Sequence, residues 1–269
     1  MILIPRKRFG QHFLRDQAII QRIVSVLNIT AQDHFVEIGP GLGALTIPVL
    51  KKLNHLEVIE LDRNVIPELK KRAEGLGELT IYAEDALSFD LSQLKKDDRL
   101  LQLFGNLPYN ISTPLLFHFL KYTAITAHIT VMLQKEVAHR LTAAANTSDY
   151  GRLSVMMQYY CQTELLFNVA ADAFYPPPKV ASSIVRLTPY RLYPYQAKDE
   201  RLFAEIVKQA FGQRRKTLHN SLKNRINDEI WNNTGISSRL RAENLHVKDF
   251  VAISNAISDA NIVSQKNTG

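Results

Sequence analysis

The sequence predicts an α/β fold with a mostly parallel sheet, followed by a small all-helical domain. Apolar runs of strand length alternate with helical patterns over the first 190 residues, and this alternation is typical of parallel sheets covered by helices on both faces. Pro189 and Pro194 then interrupt the chain, and everything after Asp199 has a helical pattern. We therefore predict one domain at residues 1–190 and a second, helical domain at residues 191–269.

Seven apolar runs predict the strands of the first domain. They lie at 34–38, 56–61, 79–82, 100–104, 128–133, 163–169 and 182–188. Between them, Asp16, Thr46 and Asn64 have the side chains of helix N-caps, and Thr113-Pro114 can begin a further helix. Helices are also predicted at 135–145 and 152–160. The last two strands have no long helix between them, which indicates an antiparallel edge.

The composition is that of an ordinary globular protein, since 46% of the 269 residues are hydrophobic and 22% are charged. Cys161 is the lone cysteine, which excludes an intrachain disulfide and a multi-cysteine zinc site and suits the reducing cytoplasm. No apolar run approaches the ~20 residues of a membrane span. The first residues do not have the order of a secretory signal. We expect a cytoplasmic protein without a membrane segment or a metal site.

Basic residues are concentrated at two places, and the net charge of +7 favours a polyanionic partner. One is the start of the chain, and the other is the run 206–225, which holds six basic residues and no acidic one. A solvated helix face is the alternative, but such faces normally mix both signs. We therefore favour contact with RNA phosphates. The candidate contacts are Arg6, Lys7, Arg8, Lys208, Arg214, Arg215, Lys216 and Lys223.

Four successive strand ends carry glycine, acidic or amide residues, and this is where parallel sheets bind ligands. Gly39-x-Gly41-x-Gly43 lets the backbone turn sharply beside a ligand. Glu60 follows Gly39 by 21 residues, as an acid that binds ribose hydroxyls does. Asp85 either accepts from an adenine amino group or caps a turn. NAD and other adenosine cofactors would satisfy these contacts equally well.

The fourth strand end carries Asn-Leu-Pro-Tyr at 106–109. By itself this tetrapeptide is more typical of a proline-containing turn. However, the Asn106 side chain and the Pro108 carbonyl offer two acceptors beside the Tyr109 ring, which suits an exocyclic amine on a planar base. No group in this loop titrates near neutral pH, whereas hydride transfer needs a proton donor or acceptor. The loop therefore favours methyl transfer to an amine.

Eight motifs, spread in order over nearly the whole chain, are similar to those of the bacterial small-subunit (16S) rRNA adenine N6,N6-dimethyltransferases, the family whose loss gives kasugamycin resistance. The motifs are FGQHFL at 9–14, VEIGPGLG at 36–43, VIELD at 58–62, EDA at 84–86, GNLPYNIS at 105–112, MLQKEV at 132–137, FYPPPKV at 174–180 and QRRKT at 213–217.

The resemblance implies a Rossmann-like class I S-adenosylmethionine-dependent methyltransferase domain with a mostly parallel seven-stranded sheet. It implies S-adenosylmethionine as the cofactor, S-adenosylhomocysteine as its product, and no metal. The implied cofactor contacts are His12, Leu14, Gly39, Gly41, Glu60, Asp85 and Asn106. It also implies that Asn106 and the Pro108 carbonyl hold the target amine while Tyr109 and Phe174 stack on the adenine. The family usually has Asn where this chain has His12.

The implied product is a pair of adjacent N6,N6-dimethyladenosines in a terminal hairpin loop of 16S rRNA, made by a monomeric enzyme during late small-subunit biogenesis. Three alternatives stay open on the sequence. One is a large-subunit rRNA methylase of the antibiotic-resistance type, which shares the core motifs. The second is a ribosome assembly factor for which methylation is incidental, and the third is a nicotinamide-dependent oxidoreductase.

Overall fold

The computed structural model describes residues 12–213 and 215–266, with side chains described up to residue 260. The chain divides into two compact units. The first comprises Met1–Ala138 and Thr163–Pro189, and the second comprises His139–Gln162 and Tyr190–Gly269. The chain thus leaves the first unit next to the predicted boundary at 190, but residues 139–162 group with the second unit. The assignment of separate roles to 1–190 and 191–269 stays a prediction.

The described residues form nine strands in two sheets. In chain order they are β1 (Phe13–Leu14), β2 (His34–Ile38), β3 (His55–Ile59), β4 (Glu78–Tyr82), β5 (Leu101–Asn106), β6 (Thr126–Gln134), β7 (Cys161–Val169), β8 (Phe174–Tyr175) and β9 (Ser182–Pro189). Strands β1 and β8 pair with each other, and the other seven form one sheet in the order β4-β3-β2-β5-β6-β9-β7. All seven predicted strands are present.

The large sheet reverses its strand order at β2, and this reversal locates the ligand crevice. The chain runs outward from β2 through β3 to β4 and returns to β5 on the other side of β2, and all of these pairings are parallel. Strand β6 pairs in parallel with β5, whereas β9 pairs antiparallel with β6, as predicted for the late strands. In such sheets a crevice opens outside the carboxyl ends of the strands at the reversal. The mostly parallel seven-stranded sheet is thus as predicted.

Five helices follow strands or lead into them: α1 (Gln17–Val26), α2 (Thr46–Leu53), α3 (Ile66–Ala73), α4 (Ser112–Phe119) and α5 (Lys135–Thr142). Helix α1 begins as predicted, because the Asp16 carboxylate accepts hydrogen bonds from the backbone N–H groups of Ala18 and Ile19. Its apolar face is buried in the core of the first unit. The helix therefore holds the segment that precedes it, which carries His12 and Leu14, close to the sheet.

Two predicted caps are wrong. The Thr46 hydroxyl donates to the Glu37 carboxylate at 2.6 Å, and α2 has no side-chain cap. Capping would require the hydroxyl oxygen to accept from N–H groups at the start of α2, but Thr46 is already the first helical residue and its hydroxyl is directed to the buried Glu37 side chain. The Asn64 side-chain amide donates to Asp62 at 2.6 Å, and α3 begins two residues later. The spacing of apolar residues predicted both helices correctly. The capping side chains instead donate to the carboxyl groups of Glu37 and Asp62, and these contacts cannot be read from the helical pattern.

Strand β5 extends two residues beyond its predicted end, so Asn106 is the last residue of a strand and not part of a loop. Gly105 makes this possible, because a Cβ at this position would lie 2.3 Å from the Ile38 carbonyl oxygen of β2. Its φ of +155° is also one that side-chain-bearing residues rarely adopt. The glycine therefore lets β5 pass close to β2 and carry Asn106 to the crevice.

The second unit is mostly helical, and its described residues after Pro189 contain helices and no strand, as the fold class predicts. It contains α6 (Arg152–Tyr160), α7 (Glu200–Ala210), α8 (Leu218–Leu222), α9 (Asp228–Thr234) and α10 (Val247–Lys266). Asp199 caps α7 through the N–H groups of Arg201 and Leu202. Buried Phe203, Trp231 and Phe250 contribute to its core. An apolar core of this kind leaves the basic residues of the unit on its surface.

Candidate functional site

A cavity of about 500 Å³ lies at the carboxyl ends of β2, β3, β4 and β5, within the usual size range of small-molecule sites. Nine of the ten residues predicted for cofactor binding and catalysis line it: His12, Leu14, Gly39, Gly41, Glu60, Asp85, Asn106, Pro108 and Tyr109. The predicted residues at the four strand ends therefore line the same cavity. Lining the cavity does not assign a role to any one residue, so the hydrogen bonds and ring contacts of each are described in turn.

The glycine turn brings backbone to the cavity wall. The Gly39 N–H donates to the Ile59 carbonyl at 2.9 Å, which closes the turn onto β3. Gly41 has a φ of +55°, and a Cβ there would lie 3.3 Å from the Phe13 ring. A side chain at Gly41 would therefore be strained and would crowd β1, so glycine keeps this part of the wall open.

Glu60 is only 7% exposed, and both of its carboxylate oxygens accept backbone hydrogen bonds. One accepts from the Gly41 N–H at 3.0 Å and the other from the Asp62 N–H at 2.8 Å. Burial raises the pKa of Glu60 above its usual value, and these hydrogen bonds oppose the rise. Each oxygen has a second lone pair, so the carboxylate can still accept from ribose hydroxyls.

Asp85 acts as a turn cap and also faces the cavity. One carboxylate oxygen accepts from the Leu87 N–H at 2.9 Å, which is the capping interpretation of the sequence. The other oxygen has no hydrogen-bond partner among the residues that the structure describes. Capping therefore does not exclude the adenine contact, because the two use different oxygens.

Asn106 is oriented by the N-terminal segment. Its side-chain nitrogen donates to the His12 backbone carbonyl at 3.0 Å. Because a carbonyl only accepts, the Asn106 amide must point its nitrogen toward His12 and leave its oxygen, Oδ1, on the other side. Within the described part of the chain, Oδ1 has no hydrogen-bond donor. The site therefore presents a positioned acceptor.

Pro108 combines a turn with an acceptor. Its carbonyl accepts from the Ile111 N–H at 3.1 Å, which is the proline-containing turn that the sequence suggested. A carbonyl oxygen has two lone pairs, so one stays available for an amine. The turn interpretation and the acceptor interpretation are thus compatible.

The Tyr109 ring is fixed on one face and at its hydroxyl. The His12 ring stacks on it with a centroid distance of 5.5 Å and an interplanar angle of 26°. The Tyr109 hydroxyl and the Ser182 hydroxyl are hydrogen-bonded at 2.6 Å. Burial raises the pKa of Tyr109, and the Ser182 hydrogen bond opposes the rise. The Nδ1 atom of His12 lies 2.8 Å from the Pro176 carbonyl, so His12 joins the loop 174–180 to the Tyr109 ring.

Phe174, the tenth predicted residue, does not line the cavity. It is 4% exposed, and it packs in the hydrophobic core with Leu14, its partner across the β1–β8 pair. The next residue, Tyr175, lines the cavity and is 51% exposed. Alternation along a strand sends neighbouring side chains to opposite faces, and the motif alone did not show which of the two rings faces the cavity.

Glu37 lines the cavity and was not among the predicted site residues. It is 2% exposed, and burial raises its pKa to about 8, while the hydrogen bond from Thr46 opposes the rise. The charge of Glu60 raises the pKa further. The sequence signal for Glu37 is that it is an acidic residue inside the otherwise apolar strand HFVEI. Glu37 therefore adds to the cavity lining a carboxyl group whose pKa is raised toward neutral pH.

The basic residues that the structure describes in the predicted RNA-binding run are exposed on the second unit. They are Lys208, Arg215, Lys216 and Lys223. Arg225 of the same run forms an ion pair with Glu205 at 2.8 Å, so its charge is compensated. Arg6, Lys7, Arg8 and Arg214 lie outside the described residues.

The described residues contain neither a candidate metal cluster nor a helix suited to span a membrane. No group of three or more His, Cys, Asp or Glu side chains among them is arranged to hold a metal ion. In the same part of the chain, no helix has the length and apolarity that crossing a membrane requires.

Comparison with known proteins gives a consistent result. A family model described as ribosomal RNA adenine dimethylase matches residues 4–259. The chain is 50% identical to ribosomal RNA small subunit methyltransferase A of Alcanivorax borkumensis, over 93% of this chain and 89% of the relative. It is 49% identical to the protein of that name from Citrobacter koseri, over 95% and 94%.

Two solved structures share the fold over most of their length. A dimethyladenosine transferase from Plasmodium falciparum superposes with a TM-score of 0.78 at 26% identity, covering 93% of this chain and 98% of the other. A 23S rRNA methyltransferase superposes with a TM-score of 0.70 at 21% identity, covering 91% and 99%. At that identity the second likeness shows the fold alone.

The Glu37 pKa predicts a pH-dependent stability. The folded protein keeps a proton that the unfolded chain releases near pH 4.5, so stability should fall as the pH rises from about 4.5 to about 8, by at most about 1.4 kcal/mol per pH unit. Glu37→Gln keeps an acceptor for Thr46 and removes the titration. Urea unfolding at pH 5 and pH 8 should show a flatter pH dependence for this variant.

The control for this measurement is Glu84→Gln, since Glu84 also lines the cavity but is exposed. This variant should keep the wild-type pH dependence. Equal slopes for Glu37→Gln and wild type would show that Glu37 does not carry the proton.

Proposed function

Because the chain belongs to the ribosomal RNA adenine dimethylase family, we propose that it methylates N6 of two adjacent adenosines in a terminal hairpin loop of small-subunit (16S) rRNA. The protein is an S-adenosylmethionine-dependent rRNA adenine dimethyltransferase. The observation that carries the proposal is the oriented Asn106 Oδ1, an acceptor without a described donor that lies in the same cavity as Glu60.

The residues of the cavity fit the adenosine cofactor. Gly41 leaves room for a ligand against the backbone, and Glu60 supplies carboxylate oxygens for ribose hydroxyls. Asp85 has one carboxylate oxygen, without a partner in the described part of the chain, for the adenine amino group. His12, Leu14 and Gly39 would complete the contacts. When bound, S-adenosylmethionine supplies an electrophilic methyl group.

The chain's own contribution to the chemistry is to hold the target amine. The N6 lone pair of adenine is delocalised into the ring, so the free amine is a weak nucleophile. Hydrogen bonds from N6 to Asn106 Oδ1 and the Pro108 carbonyl would draw the nitrogen toward tetrahedral geometry and free that lone pair. Neither acceptor takes up a proton at neutral pH, so the methylated amine releases its proton to water. Positioning is then the main source of rate enhancement.

The Tyr109 ring would hold the adenine by stacking. His12 covers one face of this ring and Ser182 fixes its hydroxyl, so the ring is held before the substrate arrives. An amine that reaches Asn106 must leave any helical stack, so the target adenosine is flipped or unpaired. In the second transfer N6-methyladenine has one N–H left, and only one of the two acceptors can keep its bond.

The comparisons favour the small subunit over the large subunit as the source of the substrate rRNA. The relatives named as small-subunit methyltransferases are about 50% identical over more than 90% of this chain. The 23S rRNA methyltransferase is 21% identical and shares the fold. Family membership contradicts the nicotinamide-dependent oxidoreductase. We further propose that the enzyme is a cytoplasmic monomer that acts on a late small-subunit precursor.

An Asn106→Ala variant distinguishes an enzyme from an assembly factor for which methylation is incidental. We expect methyl transfer to fall by at least about 100-fold, because the variant loses an acceptor that positions the amine. Mass spectrometry of small-subunit rRNA from cells that carry the variant measures this directly. Binding of the small subunit should persist. Complete rescue of subunit assembly by a variant without methylation would make methylation incidental.

If Glu60 binds the ribose, its removal should lower the affinity for the cofactor and leave RNA binding unchanged. Glu60→Ala should weaken S-adenosylmethionine binding by about 10-fold or more, because charge-assisted hydrogen bonds to the ribose are removed. RNA binding should be unchanged. Calorimetry with the cofactor is the measurement, and Glu84→Ala is the matched control because Glu84 lines the same cavity but is exposed. An unchanged affinity of Glu60→Ala would refute the ribose assignment.

The basic residues of the second unit predict a change in salt dependence. Replacing Arg215 and Lys216 by Gln should lower the slope of log Kd against log salt concentration by about one per lost phosphate contact. Filter binding of small-subunit particles at several salt concentrations measures the slope. Arg225→Gln should leave it unchanged, since Arg225 is paired with Glu205. A slope that does not move for Arg215 and Lys216 would place the RNA elsewhere.

A further inference from the structure

Arg15 and Tyr175 form an exposed cation–π pair at the cavity. The guanidinium carbon of Arg15 lies 3.9 Å from the centroid of the Tyr175 ring, and both residues line the cavity. Tyr175 is 51% exposed and Arg15 is also exposed. A large aromatic ring and a cation are thus presented together to solvent beside the proposed methyl-transfer site.

Backbone contacts fix the position of the pair. Tyr175 is the partner of Phe13 across β1 and β8, and the Arg15 N–H donates to the Ala173 carbonyl at 2.8 Å. Beneath them Leu14 and Phe174 are buried. The ring is therefore held by a short sheet with a buried underside, so a ligand would meet a preorganised surface.

The pair has properties that packing alone does not require. Arg15 has no ion-pair partner in the part of the chain that the structure describes, so its charge is available to an anion. An exposed aromatic ring adds little to folding but offers a face on which any nucleobase can stack. The guanidinium covers one face of the half-exposed Tyr175 ring, so a base can stack on the opposite face while its phosphate contacts the uncompensated cation.

We propose that the Arg15–Tyr175 pair binds the nucleotide next to the target adenosine, with its base on the Tyr175 ring and its phosphate at Arg15. The inference rests on the proposed function. A target flipped toward Asn106 draws its neighbours out of their stack, and the neighbour then lies outside the cavity without a stacking partner. Tyr175 supplies that partner. Since the two targets are adjacent adenosines, each serves as the neighbour of the other.

The kinetic test uses small subunits purified from cells that lack this modification. Tyr175→Ala should raise the KM for subunits about 10-fold, from the loss of one stacked base, with kcat within about 2-fold of wild type. Tyr175→Phe should behave as wild type, because the ring is kept. Arg15→Gln should raise KM by a few fold, roughly, and reduce its salt dependence. Affinity for S-adenosylmethionine should be unchanged in all three.

The chain provides matched controls for both residues. Tyr195 is 47% exposed and does not line the cavity, so Tyr195→Ala removes a similarly exposed ring. Arg22 lies 4.0 Å over the Phe167 ring and does not line the cavity, so Arg22→Gln removes a similar cation–π contact. Both variants should keep the wild-type KM.

Crosslinking identifies what lies on the ring. With p-benzoylphenylalanine in place of Tyr175, irradiation with the small subunit should produce a primer-extension stop at a nucleotide adjacent to a methylated adenosine. An unchanged KM for Tyr175→Ala, or crosslinks to ribosomal protein alone, would overturn the inference. A fall in kcat with an unchanged KM would also overturn it, because Tyr175 would then hold the target base itself. Wild-type protein that transfers no methyl group would instead refute the proposed function.

Discussion

The hydrogen bond from the Asn106 side-chain nitrogen to the His12 carbonyl determines which atom of the amide faces the cavity. Because the carbonyl only accepts, Oδ1 becomes the acceptor that the proposed chemistry needs. The bond also joins the N-terminal segment to the end of β5, although the two residues are 94 positions apart in the chain. This single hydrogen bond therefore orients the proposed amine acceptor and joins two parts of the cavity wall.

Two parts of the fold position the two residues that form this bond. Gly105 lets β5 pass close to β2, which carries Asn106 to the reversal point of the sheet. On the other side the β1–β8 pair holds the segment that follows His12, while the His12 ring stacks on Tyr109. His12 thus contributes through its carbonyl and its ring together. The carbonyl contact is made by the backbone, so it does not depend on the identity of the side chain at position 12.

The sequence was sufficient to predict the succession of strands along the chain and the strand ends that line the cavity, because apolar runs and the polar residues after them are local patterns. The sequence was insufficient to predict side-chain contacts between residues that are distant in the chain. Thr46 donates to Glu37 instead of capping a helix, and Arg225 pairs with Glu205. The burial of Phe174 depends on the β1–β8 pairing, which places Tyr175 at the cavity in its stead.

We propose that the orientation of the Asn106 amide controls methyl transfer, and an Asn106→Asp variant tests this directly. Asp keeps acceptor oxygens but has no donor for the His12 carbonyl, so it cannot hold the wild-type orientation. Purified protein, S-adenosylmethionine and unmodified small subunits are combined, and the rRNA is examined by mass spectrometry. We expect N6,N6-dimethyladenosine with wild type and almost none with Asn106→Asp. Dimethylation by Asn106→Asp at a rate close to wild type would contradict it.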